Sequence, residues 1–279
     1  MMAWLRLIAI PLLVLSALAA GASLRILPAP LSRRISPQLN QRLCRAACRA
    51  LRITVSFDGA LPVERPALLV ANHVSWTDVI AFGSLIPIRF LARHDMAHWP
   101  GLGLLARLFG TLFVERGRLR QIPRVNAQMA ERMGAGDLVA LFPEATTGDG
   151  TRLKRFHAVH FAAARKLLQD RPELESVAIA PAAIVYSRRR GVPLGRSERA
   201  AIAWYGDTDF MPHVLDLVRG GGVECRVSFL TPLRFTSASD RKAVARETRV
   251  AVRAEVVRLL SSATVDPGWT YGPSAFQGV

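Results

Sequence analysis

The sequence predicts an α/β protein: a mixed, largely parallel sheet covered by helices, with an N-terminal membrane helix ahead of it. Two observations carry this. From Ile53 onward, short apolar runs alternate with longer segments that read as helices, the pattern of a largely buried sheet joined through helices. Before that, Leu7 to Leu24 (LIAIPLLVLSALAAGASL) holds no charged side chain and is just long enough to cross a bilayer as a helix.

The N-terminal run is read as an uncleaved anchor over residues 1–27. A signal peptide competes, because Arg6 precedes the run and Ala17-Leu18-Ala19 fits a cleavage site. The flanks decide. Arg25, Arg33, Arg34, Arg42 and Arg45 follow the run against Arg6 before it, which places the rest on the cytoplasmic side of the inner membrane. Pro11 leaves room for a kinked or re-entrant segment.

Pro28, Pro30 and Pro37 mark a linker. QLNQRLCRAACRALRI then reads as a basic amphipathic helix, the two together filling 28–52. Leu43, Ala47 and Leu51 share one face, while Arg42, Arg45 and Arg49 share another. Such a helix suits an anionic membrane surface, or a solvated face above a core stripe.

Residues 53–265 form the main domain. ITVSF, ALLVA, IRFLA, TLFVE, DLVALF and ECRVSFL read as strands, as does VAIAPAAIV, whose motif ends at Pro181. TDVIAFGSLI, MAHWPGLGLLARLF, LRQIPRVNAQMAERM, FHAVHFAAARKLL, MPHVLDLV and Ser239 to Ser261 read as helices. The Gly-, Pro- and Ser-bearing tail, 266–279, is expected to be loosely held.

Composition bounds the function. The chain has 279 residues, a formal net charge of +16 and an apolar fraction of 51%. Its mean hydropathy is +0.22. A basic, apolar chain suits an anionic membrane, an acidic carrier protein or nucleic acid. No nucleic-acid motif supports the last of these. Cys44, Cys48 and Cys225 are too few and too irregular for a disulfide framework, and read as packing thiols. His94 and His98 have helical spacing but no third ligand, so no metal is expected. There is no G-x-S-x-G for a serine hydrolase and no H-E-x-x-H for a zinc protease.

Chemistry gathers where strands end. In Asn72-His73-Val74-Ser75-Trp76-Thr77-Asp78 a strand gives way to a helix that Thr77 could cap. Residues five apart do not share a helix face. Across a strand-to-helix turn, however, Asp78 can fold back onto His73 and fix its tautomer. The pair reads either as a general base with its partner or as a hydrogen-bonded structural histidine. Gly110 to Arg116 (GTLFVER) sets a guanidinium after another strand. Phe142 to Thr147 (FPEATT) sets a carboxylate and two hydroxyls after a third, and Val177 to Pro181 (VAIAP) ends a fourth with proline. Open α/β sheets bind ligands at the carboxyl ends of their strands, so these segments point to one crevice.

The ordered set resembles the glycerolipid acyltransferase family over roughly residues 50–235. His73 and Asp78 match its H-x4-D motif. Gly110, Phe113 and Arg116 match its glycine–phenylalanine–arginine motif. Phe142, Pro143, Glu144 and Thr146 match its F-P-E-G-T motif, and Pro181 its proline-bearing fourth motif. Ala145 stands where the family usually has glycine, a strain if that position needs positive φ. The resemblance implies a glycerolipid-acyltransferase-like fold, His73 as general base and Asp78 as its orienting partner. It also implies Arg116 on the anionic acceptor head, with Glu144, Ala145, Thr146, Thr147 and nearby backbone around it. No cofactor is implied. The donor would be an acyl thioester on coenzyme A or acyl carrier protein, and the acceptor a lysophospholipid, first of all 1-acyl-sn-glycerol-3-phosphate. Trp204 to His213 (WYGDTDFMPH) and Thr146 to Gly150 resemble lyso-ornithine-lipid acyltransferases instead, which makes a lyso-aminolipid the alternative acceptor. A non-catalytic basic membrane- or nucleic-acid-binding protein is the alternative of another class.

Overall fold

Ala67 to Ala71 carry no polar side chain on either face, and Leu138 to Leu141 likewise. Strands of that kind must be covered on both sides, and both are buried throughout at the centre of the molecule. In the computed structural model the described residues are 3–99, 102–115, 118–262 and 270–271. In chain order they form α1 (Ala3–Ser23), α2 (Ala29–Leu51), β1 (Ile53–Asp58), β2 (Ala67–Ala71), α3 (Thr77–Leu85), β3 (Arg89–Arg93), α4 (Leu102–Leu108), β4 (Leu112–Val114), α5 (Ile122–Gly134) and β5 (Leu138–Leu141). There follow α6 (Ala162–Asp170), β6 (Val177–Arg189), β7 (Val192–Pro193), α7 (Arg196–Ile202), α8 (Phe210–Arg219), β8 (Val223–Phe229), β9 (Leu233–Phe235), α9 (Arg241–Ser261) and β10 (Thr270–Tyr271).

The main path of the sheet runs β10-β1-β8-β6-β2-β5-β3-β4. From β6 to β4 every neighbouring pair is parallel, while β8 turns antiparallel to β6. The sheet is therefore mixed and mostly parallel, and the ends of β6, β2, β5, β3 and β4 share one edge. Alternate residues feed two cores. Leu69 and Ala71 pack with Phe82 and Leu85 of α3, Cys48 and Leu51 of α2 and Leu217 of α8. Leu68 and Val70 pack with Met129 of α5, Leu167 of α6 and Val252 of α9.

The N-terminal region departs from expectation. Among the described residues no helix is long and apolar enough to cross a membrane. Instead α1 lies against the domain, contacting α2, α4 and α8. Ala17 and Leu24 are buried with Phe109. Gly21 lets the helices meet so closely that a Cβ there would stand 2.8 Å from Leu108 Cβ. Ile8, Leu12 and Leu15 stay exposed on the other side. The expected linker is helix as well. Pro30 falls in the first turn of α2, where a missing N–H costs nothing, and Pro37 is carried inside it. Arg45 is not free for a membrane face, because its Nε donates to the Ser84 carbonyl at the end of α3, 2.9 Å away. Cys44 and Cys48 are buried thiols on the face of α2 that meets α3, and burial pushes both pKa values up to about 12.

The single helix expected over Met96 to Phe109 is broken. A 3-10 turn spans His94–His98 and α4 follows. Trp99 precedes a proline, which forces it into the extended conformation (φ −69°, ψ 130°). Pro181 does not end its strand either, since β6 runs on through it to Arg189. The carbonyl of Pro181 accepts from Leu230 N–H, on the side where β6 exchanges β9 for β8 as its neighbour. A residue's N and O face the same side of a strand, so the missing proline donor falls in that gap and breaks no ladder bond. Of the tail, Thr270 and Tyr271 pair antiparallel with Phe57 and Ser56; the rest lies outside the described residues.

Candidate active site

The site begins where β2 leaves the sheet. Asn72 continues the pairing with its side chain, Nδ2 donating to Ile184 O (2.9 Å) and Oδ1 accepting from Ile184 N–H (2.8 Å). This holds the exit point of the chain, and His73 follows at once. The turn brings Asp78, in the first turn of α3, back to it. Asp78 Oδ2 accepts from His73 Nδ1–H at 2.8 Å, Val74 N–H at 2.6 Å and Ser75 N–H at 3.0 Å. Its Oδ1 accepts from Tyr186 O–H at 2.7 Å. The carboxylate is fully buried, and these donors together with the helix N-terminus support its charge. With Nδ1 carrying the hydrogen, Nε2 is the basic atom of His73.

Two further contacts fix the imidazole. Phe142 stacks on its face, centroids 4.1 Å apart and planes 9° from parallel. Glu144 accepts from the His73 backbone N–H (2.8 Å) with Oε1 and from Lys154 N–H (2.7 Å) with Oε2. Both of its oxygens thus serve the backbone. The F-P-E segment pins the His73 loop to residues 148–154, helped by Gly148 N–H to His73 O. Burial raises the Glu144 pKa, opposed by the hydrogen bonds from His73 and Lys154. Glu144 thereby ties the His73 loop to Lys154.

The other motif residues divide. Thr146 is exposed, while Thr147 is buried and its carbonyl accepts from Lys154 Nζ. Gly110 adopts φ +72°, and a Cβ there would stand 2.9 Å from Nη1 of Arg89. That glycine makes room for a buried guanidinium, which donates to Ser36 Oγ and Phe109 O and pairs with Asp137. Phe113 lies in β4 opposite Ala92. Arg116 lies outside the described residues. Pro181 sits in mid-strand in β6, opposite Val70 near the carboxyl end of β2.

Thr77 does not cap α3. Its hydroxyl lies 2.5 Å from the Tyr186 oxygen. Tyr186 is the residue that the motifs miss. Its signal is a phenol directly after the apolar run Val177 to Val185, since a buried tyrosine hydroxyl needs a partner. The segment Trp204 to His213 also reaches the site. Trp204 N–H donates to Val74 O at 3.0 Å, and Trp76 Nε1 donates to His213 Nδ1 at 3.0 Å. Burial lowers the His213 pKa, consistent with a neutral ring whose Nε2–H donates to Ile202 O. Helix α8 starts after Asp209, not after Asp207 or Thr208.

Ala145 meets the condition set by the sequence, with φ +60°. A left-handed alanine costs ~1–2 kcal/mol, partly offset by the smaller chain entropy it loses on folding. Ala145→Gly is therefore expected to stabilise the fold by roughly 0.5–1 kcal/mol, raising Tm by about 1–4 °C in thermal unfolding. An unchanged or lower Tm would show that the backbone bears no strain there.

Residues 52–185 match the family model described as Acyltransferase. The chain is 36% identical over 210 residues to a lyso-ornithine lipid O-acyltransferase of Brucella abortus, covering 75% of this chain and 78% of that one. It is 28% identical over 211 residues to a 1-acyl-sn-glycerol-3-phosphate acyltransferase of Neisseria meningitidis, covering 73% and 77%. The crystal structure of the 1-acyl-sn-glycerophosphate acyltransferase of Thermotoga maritima shares the fold, with TM-score 0.57, 18% identity and coverage of 91% and 97%. With the H-x4-D geometry at its carboxyl edge, the chain belongs to the acyltransferase family and is an O-acyltransferase.

Proposed function

We propose that the protein esterifies the hydroxyl of a lyso-ornithine lipid with a fatty acyl chain taken from a thioester on acyl carrier protein or coenzyme A. The first expectation from sequence was 1-acyl-sn-glycerol-3-phosphate. The higher identity to a lyso-ornithine lipid enzyme over an equal span favours the aminolipid. The observation that carries the choice is local. The Trp204–His213 segment, the stretch that resembles such enzymes, hydrogen-bonds directly to the His73 loop through Trp204 and His213.

In this reading His73 Nε2 takes the proton of the acceptor hydroxyl as its oxygen attacks the thioester carbonyl. The tetrahedral adduct collapses, the C–S bond breaks, and the thiolate takes the proton from the imidazolium. Asp78 holds the ring's tautomer and balances the transient charge. Arg116 is assigned to the carboxylate of the head, as its place in the matching motif suggests. The protein would work at the cytoplasmic face of the inner membrane. Exposed Ile8, Leu12 and Leu15 of α1 and Met211 of α8, on helices that touch, favour seating on lipid rather than spanning it.

The test is a panel of lyso-acceptors with one labelled acyl donor. The lyso-ornithine lipid is expected to show at least ~10-fold higher kcat/KM than 1-acyl-sn-glycerol-3-phosphate, a difference of about 1.4 kcal/mol in transition-state stabilisation. The opposite order would restore the phosphate acceptor. Transfer to neither would remove the reading.

A further inference from the structure

We propose that Tyr186 and Thr77 form a positioning relay that sets the orientation of the catalytic pair from behind. Thr77 O–H donates to the Tyr186 oxygen, and Tyr186 O–H donates to Asp78 Oδ1. The inference rests on the acyl-transfer reading of His73 and Asp78.

The hydrogens can be counted. Tyr186 has one, and it goes to Asp78 Oδ1 at 2.7 Å. The 2.5 Å contact between Thr77 Oγ1 and the Tyr186 oxygen is then filled by the threonine hydrogen. The order is therefore Thr77 to Tyr186 to Asp78, with His73 Nδ1–H arriving on the opposite oxygen of the same carboxylate. Thr77, Asp78 and Tyr186 are all buried, so bulk water does not compete for these bonds. Burial and the nearby Asp78 carboxylate also raise the Tyr186 pKa well above its ordinary value, which keeps the phenol a donor.

The two oxygens of Asp78 have unequal support. Oδ2 has Val74 and Ser75 N–H besides His73, whereas Tyr186 is the donor to Oδ1. Without it the carboxylate can turn about its Cβ–Cγ bond, and the line from Oδ2 to His73 Nδ1 loosens. Tyr186 touches no substrate in this account. It comes from β6, which lies beside β2, and so ties the dyad to the strand next to the one that presents His73.

The experiment measures steady-state kinetics and Tm for wild type, Tyr186→Phe, Thr77→Val and the double variant, each as purified full-length protein. Tyr186→Phe keeps the ring and removes the hydroxyl. It is expected to lower kcat roughly 10- to 100-fold, the range for a hydrogen bond to a charged group. KM for donor and acceptor should stay within about 2-fold, as for an interaction needed in the transition state. Thr77→Val should fall in the same direction by less. The double variant should be no slower than Tyr186→Phe alone, because Thr77 acts through Tyr186.

Additive losses in the double variant would overturn the relay. So would a kcat loss that disappears on assay well below the variant's Tm, the mark of a merely structural role, or unchanged kcat in Tyr186→Phe. If wild type itself transfers no acyl chain, the acyl-transfer reading fails instead.

Discussion

His73→Ala is expected to lose at least ~100-fold in kcat while folding normally, since general-base catalysis typically contributes 10²–10⁴. The variant removes Nε2, the atom left basic by the bond from Nδ1 to Asp78. The loop around it does not depend on the ring. Glu144 holds the His73 backbone N–H and Gly148 holds its carbonyl, and alanine keeps both. Circular dichroism and Tm close to wild type should accompany the kinetic loss. Retention of more than about a tenth of wild-type kcat would remove His73 from the role of base.

Asp78→Asn is expected to be comparably damaging, and for a different reason. The wild-type carboxylate receives donors from His73, Val74, Ser75 and Tyr186. A carboxamide offers one acceptor oxygen and an NH₂ group. If the oxygen stays on Val74 and Ser75, it can keep His73, but the NH₂ then faces the Tyr186 hydroxyl. If the NH₂ turns to His73, Nδ1 must accept and Nε2 carries the hydrogen, the wrong tautomer for a base. The equivalent exchange in a Ser-His-Asp triad costs ~10⁴ in kcat with geometry intact. Here the buried mismatch should also lower stability, by about 1–3 kcal/mol for an unsatisfied buried group. Kinetics below the Tm of the variant, with ¹⁵N-histidine NMR reporting the tautomer, would separate the two effects. A variant that keeps Nδ1–H and full activity would contradict the assignment.

Much of this was legible because strand ends in a parallel sheet are chemically marked. ALLVA followed by Asn72-His73 has an apolar stretch that can only be buried, then polar groups with nowhere to go but the edge. The strands of the centre read clearly for the same reason. Ala145 was legible as a conditional strain, and its φ of +60° meets the condition. What was not legible depends on partners distant in sequence. Pro181 reads locally as a strand end, but its missing N–H falls where β6 changes neighbours, so the strand continues. Thr77 looks like a cap from its position before a helix, yet its hydroxyl is taken by Tyr186, over a hundred positions along the chain. The tie that Glu144 makes to the backbone N–H groups of His73 and Lys154 is likewise invisible in the local sequence. The uncharged run Leu7 to Leu24 reads as a span, but among the described residues no helix is long and apolar enough to cross a membrane, and Ala17 and Gly21 pack against α4 and its C-terminal end.

The central claim is direct transfer from thioester to acceptor hydroxyl with His73 as base. The most direct measurement is a single-turnover reaction of purified protein with a radiolabelled acyl thioester and lyso-ornithine lipid, wild type beside His73→Ala, quenched in acid and separated into lipid and protein. The expected result is labelled ornithine lipid from wild type, almost none from the variant, and no label on the protein before or after the acceptor is added. Label held covalently by the protein, or equal product from both proteins, would contradict the account.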